Sequence, residues 1–333
     1  MRNPKHFFSH WQNWIALILV GGFILLALTA PILAPVNEKS LNPGFKFAAD
    51  PFGFLPHPPS ALAVLGTVPT GAANRQIDIF YSLVWGTRSA LQFGLTVALI
   101  TTTFGVVVGA FSAYIGGLTN NVIMRITDAF LAFPIIVGVV FLQQLYLLMV
   151  QAGGGMFYKG GGQANTTMII EPASNPSSIQ LFLDKVDPVM LAIILLSWMI
   201  SARITNTVVL QVKKADFVVA SQALGASHPR IIFRHLIPNS ISPAIILLAR
   251  DIGGIVLLQA ALTFIGIGGE SLWGQTLVLG RRWIIGPGGN FLTYWWTYLP
   301  VTIAIVLFGV GWNLLGDGLN DWLNPRSAQQ LDL

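Results

Sequence analysis

The sequence has no cysteine, so it can form no disulfide, no thiolate nucleophile and no Cys-ligated metal site. It is almost as poor in charge. Only 9% of its 333 residues are Asp, Glu, Lys or Arg, where a soluble domain carries roughly 25%. It also lacks the Gly-Lys-Ser/Thr ending of a phosphate-binding P-loop, so the chain itself offers no recognisable nucleotide cradle. The five histidines, His6, His10, His57, His228 and His235, are too scattered for a metal-ligand spacing. No Ser-His-Asp set or carboxylate pair suggests catalysis either. We expect no enzyme activity, cofactor or metal in this chain.

What is present is apolar: 54% of residues are hydrophobic. Charge-free runs of about 18 residues or more are long enough to cross a hydrocarbon core of roughly 30 Å as helices. They predict an all-α, polytopic membrane protein of about six spans, near Trp14 to Leu33, Ser89 to Tyr114, Ala129 to Leu148, Pro188 to Ile204, Ile241 to Phe264 and Thr297 to Leu315. Gly116-Gly117 with Asn120-Asn121 divides the second span from the third. Arg2 and Lys5 precede an apolar run ending at Ala34, in the manner of a signal peptide. That run exceeds the roughly 7 to 15 apolar residues of a signal sequence and is read as a span.

The net charge of +5 is spread between the spans, which excludes a concentrated nucleic-acid footprint. Arg2, Lys5, Arg125, Lys213, Lys214, Arg230, Arg234 and Arg326 fall on one face, which the positive-inside bias makes cytoplasmic, together with both termini. The expected layout is a tail and first span at 1–35, an external loop at 36–87, a five-span core at 88–325 and a cytoplasmic tail at 326–333. Within the core lie a Gly-rich external excursion at 149–187 and a cytoplasmic loop at 213–238. Trp11, Trp14, Trp283, Trp295, Trp296 and Trp322 read as interfacial anchors.

The loop Lys213 to Pro238 reads KKADFVVASQALGASHPRIIFRHLIP and predicts two short helices. Asp216 is expected to cap the first and Gly225 to end it. Ser227 caps the second, Pro229 sits in its first turn and Pro238 closes it. The first helix presents Phe217, Val218, Ala220, Ser221 and Leu224, small and apolar side chains that need a partner to cover them. An amphipathic segment on the bilayer and a DNA-binding helix-turn-helix are the other readings of this pattern. No linker frees the loop from the membrane, which weighs against the second.

Ala223 to Asn239, ALGASHPRIIFRHLIPN, resembles the EAA loop of binding-protein-dependent ABC importer permeases, and most closely the dipeptide and oligopeptide branch. NLLGDGLNDWLNPR at Asn313 to Arg326, YSLVWGTRSAL at Tyr81 to Leu91, MRITDAFLAFP at Met124 to Pro134, LGT at Leu65 to Thr67 and LTFIGIG with Trp273-Gly274 extend the likeness in colinear order. The family's Glu-Ala-Ala is Val219-Ala220-Ser221 here. Its outer Gly-Thr-Asp and Gly-Arg-Asp are Gly66-Thr67-Val68 and Asn74-Arg75-Gln76.

The resemblance implies a type I importer permease of a bacterial or archaeal plasma membrane. The partners it implies are a second homologous permease, two cytoplasmic ATPases that bind the ATP and Mg, and an extracytoplasmic substrate-binding protein. The substrates it implies are peptides, nickel or other small solutes. Asp216, Phe217, Ala220, Ser221, Leu224, Gly225, Arg230, Arg234 and Pro238 would then contact or carry the ATPase-coupling surface. A stand-alone secondary transporter or channel is the rival, and would be expected to show polar residues in several spans and an internal repeat.

Ionisable residues inside spans are costly, by roughly 2.5 to 3.5 kcal/mol at a helix centre, and so are functional candidates. Arg250 and Asp251 lie inside the fifth span and, as sequence neighbours, point about 100° apart. They either line a translocation path or pair with other groups for assembly. Arg203 and Asp317 lie at span ends and are expected to snorkel to the interface.

Overall fold

The computed structural model describes residues 7–8, 10–35, 47–48, 54–70, 76–151, 156–157, 169–170, 187–286 and 288–323. Most of the Gly-rich excursion and all of the C-terminal tail lie outside them. The helices are α1 (Trp11–Leu33), α2 (Ile79–Ile115), α3 (Gly117–Leu131), α4 (Ile135–Gln151), α5 (Pro188–Ser197), α6 (Met199–Val212), α7 (Asp216–Ala223), α8 (His228–Ile231), α9 (Ile237–Ser240), α10 (Ser242–Ile265), α11 (Leu272–Ile285) and α12 (Leu299–Leu323). Among the described residues, α1, α2, α10, α12 and the joined α5–α6 are long and apolar enough to cross a membrane. The pair α3 and α4 adds a sixth span if taken as one, but it is bent by 91°.

That bend corrects the straight third span expected over Ala129 to Leu148. Pro134 lies at the break, where it has no N–H to donate and disfavours helical geometry at Phe133. The backbone turns through a Phe133 N–H bond to the Phe130 carbonyl at 3.1 Å. Apolar content reports that a segment prefers lipid, not that it is straight.

Helix α2 is the central post. Its 37 residues span about 55 Å at 1.5 Å per residue, and it packs against α1, α6, α10 and α11. It starts at Ile79, inside the expected external loop, because Asp78 caps it by accepting the Phe80 N–H at 2.9 Å. Arg88, which the charge-free reading left just outside the span beginning at Ser89, does not interrupt the helix; its guanidinium lies 5.5 Å from the Trp85 ring centroid. Gly116, at φ +73°, closes α2.

Glycines set the close helix crossings. A Cβ on Gly105 would lie 2.5 Å from the Trp198 carbonyl and 2.7 Å from Ser201 Cβ. One on Gly109 would run into the Ala202 backbone. Without a hydrophobic drive between helices in lipid, such backbone approach is a main source of association.

Helix α6 runs past the expected end of the fourth span at Ile204. Asn206 does not break it, because its side-chain amide donates to Ser112 Oγ at 2.8 Å and to Asn120 Oδ1 at 2.6 Å, with the Gly109 carbonyl at 3.4 Å. The amide therefore fastens α6 to α2 and α3. Asn206→Leu is expected to lower stability by about 1 kcal/mol, the scale of an interhelical hydrogen bond in membranes, measured as thermal unfolding in detergent.

At the opposite end of α2, strands β1 (Phe47–Ala48), β2 (Thr67–Pro69) and β3 (Gln76–Asp78) form an antiparallel sheet in the order β1-β3-β2, with Val68 opposite Ile77. A second antiparallel pair joins β4 (Met156–Phe157) to β5 (Ile169–Ile170). Trp273, Trp296 and Trp312 are core residues. Trp273 of α11 is buried, packs on Phe308 at 5.8 Å between centroids and donates to the Leu83 carbonyl at 3.3 Å. Trp296, expected at the interface, is also buried, and Gly66 leaves it room: a Cβ there would lie 2.7 Å from the indole.

Candidate functional site

Helix α7, the turn after it and the helix from His228 to Ser240 form one unit. Asp216 is not the N-cap. Ala215 holds that position in an extended conformation without a side-chain bond, and this places Asp216 inside the first turn. There its carboxylate still faces the positive end of the helix dipole. Gly225, at φ +79°, turns the chain as expected. Its N–H donates to the Gln222 carbonyl at 2.9 Å, and the Ala226 N–H donates to Ser221 at 3.1 Å. These are the paired bonds of a Schellman cap, which satisfy carbonyls that would otherwise be orphaned.

Ser227 is the N-cap of α8, without a side-chain cap bond, and Pro229 stands in the first turn. Pro238 does not close the helix. A π turn over Ile232–Leu236, with the Ile237 N–H donating to the Ile232 carbonyl, precedes it, and the helix continues to Ser240. The wider turn spaces the backbone where Pro238 has no N–H and its ring would crowd the carbonyl four residues back.

The unit is fixed to the membrane helices on its inner side. Val218, expected among the presented side chains, is instead fully buried with Ile231, Ile232 and Leu236 against Ala110 and Ala113 of α2 and Val209 of α6. The Tyr114 hydroxyl meets His228 Nδ1 at 2.7 Å, and Lys213 Nζ donates to the Ala113 carbonyl at 2.7 Å. None of these braces was anticipated from the sequence. The one available signal was a Tyr at the end of a span, where its hydroxyl would need a partner.

The outer side is bare. Leu224 is 89% exposed, Val219 52% and Phe217 45%. Ala220 and Gly225 are exposed with them, as are Asp216, Arg230, Arg234 and Pro238, while Ser221 is half-buried and 3.4 Å from His235 Nε2. An apolar knob ringed by charge therefore stands on a rigid base.

The two ionisable neighbours in α10 separate. Arg250 is ion-paired to Asp317 of α12, and Arg203 of α6 to Asp128 of α3. Arg203 and Asp317 thus do not simply snorkel; each has a cross-helix partner. Asp251 turns instead to a cavity of about 350 Å³ beside the α3–α4 bend, lined by Phe130, Phe133, Leu196, Ser197 and Leu258 among others. No grouping of three or more potential metal ligands occurs among the described residues.

Residues 105–329 match the model of the binding-protein-dependent transport system inner membrane component. The chain belongs to that family. Among similar curated proteins, the dipeptide transport system permease protein DppC of Alkalihalophilus pseudofirmus is 29% identical, over 94% of this chain and 85% of its own length. The oligopeptide transport system permease protein OppC of Bacillus subtilis is 28% identical over 96% and 87%. The nickel transport system permease protein NikC of Escherichia coli K12 is 28% identical over 96% and 95%. Membership makes this chain a multi-pass transport subunit rather than an enzyme. The matched stretch opens at Gly105 and takes in α3 through α12, so both the α7–α9 unit and the Asp251 cavity lie within the family's common region.

Proposed function

We propose that the chain is one of two permease subunits of an ATP-binding-cassette importer for peptides, and that it couples to cytoplasmic ATPases through the loop from Lys213 to Pro238. The observation that carries this reading is the arrangement of that loop, with Phe217, Ala220 and Leu224 uncovered on one side and Val218, Ile231 and Leu236 locked to α2 and α6 on the other. A side chain left in water does nothing for folding; one mounted on a braced helix can receive a push and pass it on. The names of the relatives favour peptides as cargo, with nickel the competing class.

In this reading the ATPases hold ATP and Mg, a second permease completes the path, and an extracytoplasmic receptor delivers the solute. The α7–α9 face and both termini are cytoplasmic. ATP-driven closure of the ATPases presses on α7, the Gly225 cap keeps α7 and α8 at a fixed angle, and the displacement enters α2, α6 and α10. Val219 stands where the family motif has Glu, so docking relies on the apolar contacts of Phe217 and Leu224 and on Arg230 and Arg234 at the rim. Arg250 and Asp251 belong to the path in different ways: Arg250 ties α10 to α12 through Asp317, and Asp251 faces the solute.

Gly225→Val tests the coupling. A β-branched residue in the left-handed region is strained by roughly 1–2 kcal/mol, although the position is open to solvent. In the reconstituted complex, peptide uptake is expected to fall about tenfold while ATP hydrolysis continues. Undiminished uptake, or solitary transport by the chain without ATPases, would overturn the proposal.

A further inference from the structure

Asp251 lies ten residues into α10, inside a membrane span, with no partner among the described residues. Asp128 and Asp317 are each held by an arginine, whereas Asp251 has no hydrogen bond or ion pair among the described residues. A charge at membrane depth without compensation is expensive and marks a site. The side chains that wall its cavity beside it are apolar except for Ser197. Compensation therefore has to come from outside the described residues, and a bound cation can supply it.

The cavity narrows the class of visitor. A divalent metal is disfavoured, because one carboxylate and one hydroxyl fall short of the several ligands a metal ion takes and no further ligand group is gathered there among the described residues. A compact organic cation suits the space, since Phe130 and Phe133 supply aromatic surface next to the carboxylate and aromatic faces attract ammonium groups. A second cavity of about 600 Å³ shares Phe130, Phe133 and Leu196 with the first and adds Phe141, Leu142 and Trp198. No ionisable side chain lines it among the described residues. One anionic pocket opening beside one aromatic pocket matches a positive group and an apolar side chain carried on the same carbon.

We propose that Asp251 receives the α-ammonium group of a peptide in transit, with the first side chain of the peptide seated in the adjoining cavity of Phe130, Phe133, Phe141 and Trp198. This rests on the peptide-importer reading and adds to it an orientation, amino terminus toward α10, and a preference for an apolar first residue. The bend at Pro134 is what brings Phe130 of α3 and the residues of α4 to the same wall.

Labelling with dicyclohexylcarbodiimide tests this in the purified complex of permeases, ATPases and receptor protein, since the reagent adds to carboxyl groups in apolar surroundings. Adduct at Asp251 is followed by peptide mass spectrometry, with Asp251→Asn as the control that removes it. Trileucine at ten times its apparent Kd is expected to slow labelling about tenfold, and N-acetyl-trileucine at the same concentration to leave it unchanged. Equal protection by both peptides, protection by neither, or an Asp251 already shielded in the peptide-free complex overturns the assignment. Labelling needs no ATP hydrolysis, so these outcomes are independent of coupling. If the wild-type importer takes up trileucine while protection fails, only the Asp251 site falls; if it takes up no peptide, the peptide reading falls.

Discussion

Leu224→Asp is expected to abolish peptide uptake while leaving the protein folded. Leu224 is the most exposed large apolar side chain of the α7–α9 unit, at 89%, and it belongs to none of the buried clusters. Removing it costs little stability, because surface substitutions clear of packed features generally stay within about 0.5 kcal/mol. In the proposed complex, its value lies in the ATPase surface that would cover it. A carboxylate buried in an apolar ATPase groove without a partner is penalised by several kcal/mol, enough to lower occupancy of the docked state by two orders of magnitude or more. The permease should unfold thermally at the wild-type temperature in detergent, yet fail to co-purify with the ATPases or to stimulate them. A variant that imports peptide at the normal rate would remove Leu224 from the interface. Val218→Asp makes the opposite comparison: it buries a charge among Ile231, Leu236 and Ala110 and is expected to abolish folding of the unit along with transport.

Gly109→Val is expected to produce a large loss of stability in the bundle. Its Cβ would meet the Ala202 backbone, which cannot rotate away as a side chain could, and the Asn206 bridge to Ser112 and Asn120 lies at the same crossing. Overpacking of this kind costs about 3 kcal/mol, and forcing α2 from α6 would also break that bridge. Gly22→Val, where a Cβ meets nothing in the chain within 4 Å, is the control. Similar unfolding temperatures for the two variants would show that close backbone approach is not what holds α2 to α6.

The spans were legible because lipid imposes a coarse code: long, apolar and nearly free of charge. The code failed wherever a polar residue had a private arrangement. Asn206 and Asp317 looked like helix ends but continue as helix, since their polar groups are taken up by Ser112 and Asn120 in one case and Arg250 in the other. Pro134 gave the converse error, because hydropathy has no direction and the turn it marks is invisible in a count of apolar residues. In the loop, Gly225 and Pro229 announced their roles through backbone rules that hold locally. Pro238 did not, because a π turn is not visible in a pattern of helix-breaking residues. Val218 was assigned to the wrong side, since α7 has only eight residues and the face that meets α2 depends on Ala110, Ala113 and Val209, which are distant in sequence. The separation of Arg250 from Asp251 followed from helical geometry, but the choice of Asp317 as partner required the packing of α10 on α12.

The π turn has a mechanical corollary. Because the chain passes through Pro238 without leaving helical geometry, and Ile241 between α9 and α10 is itself in right-handed helical conformation, the backbone from His228 to Ile265 contains no slack joint. Work applied near Leu224 has one elbow to cross, at Gly225, before it meets a crankshaft whose far throw carries Asp251.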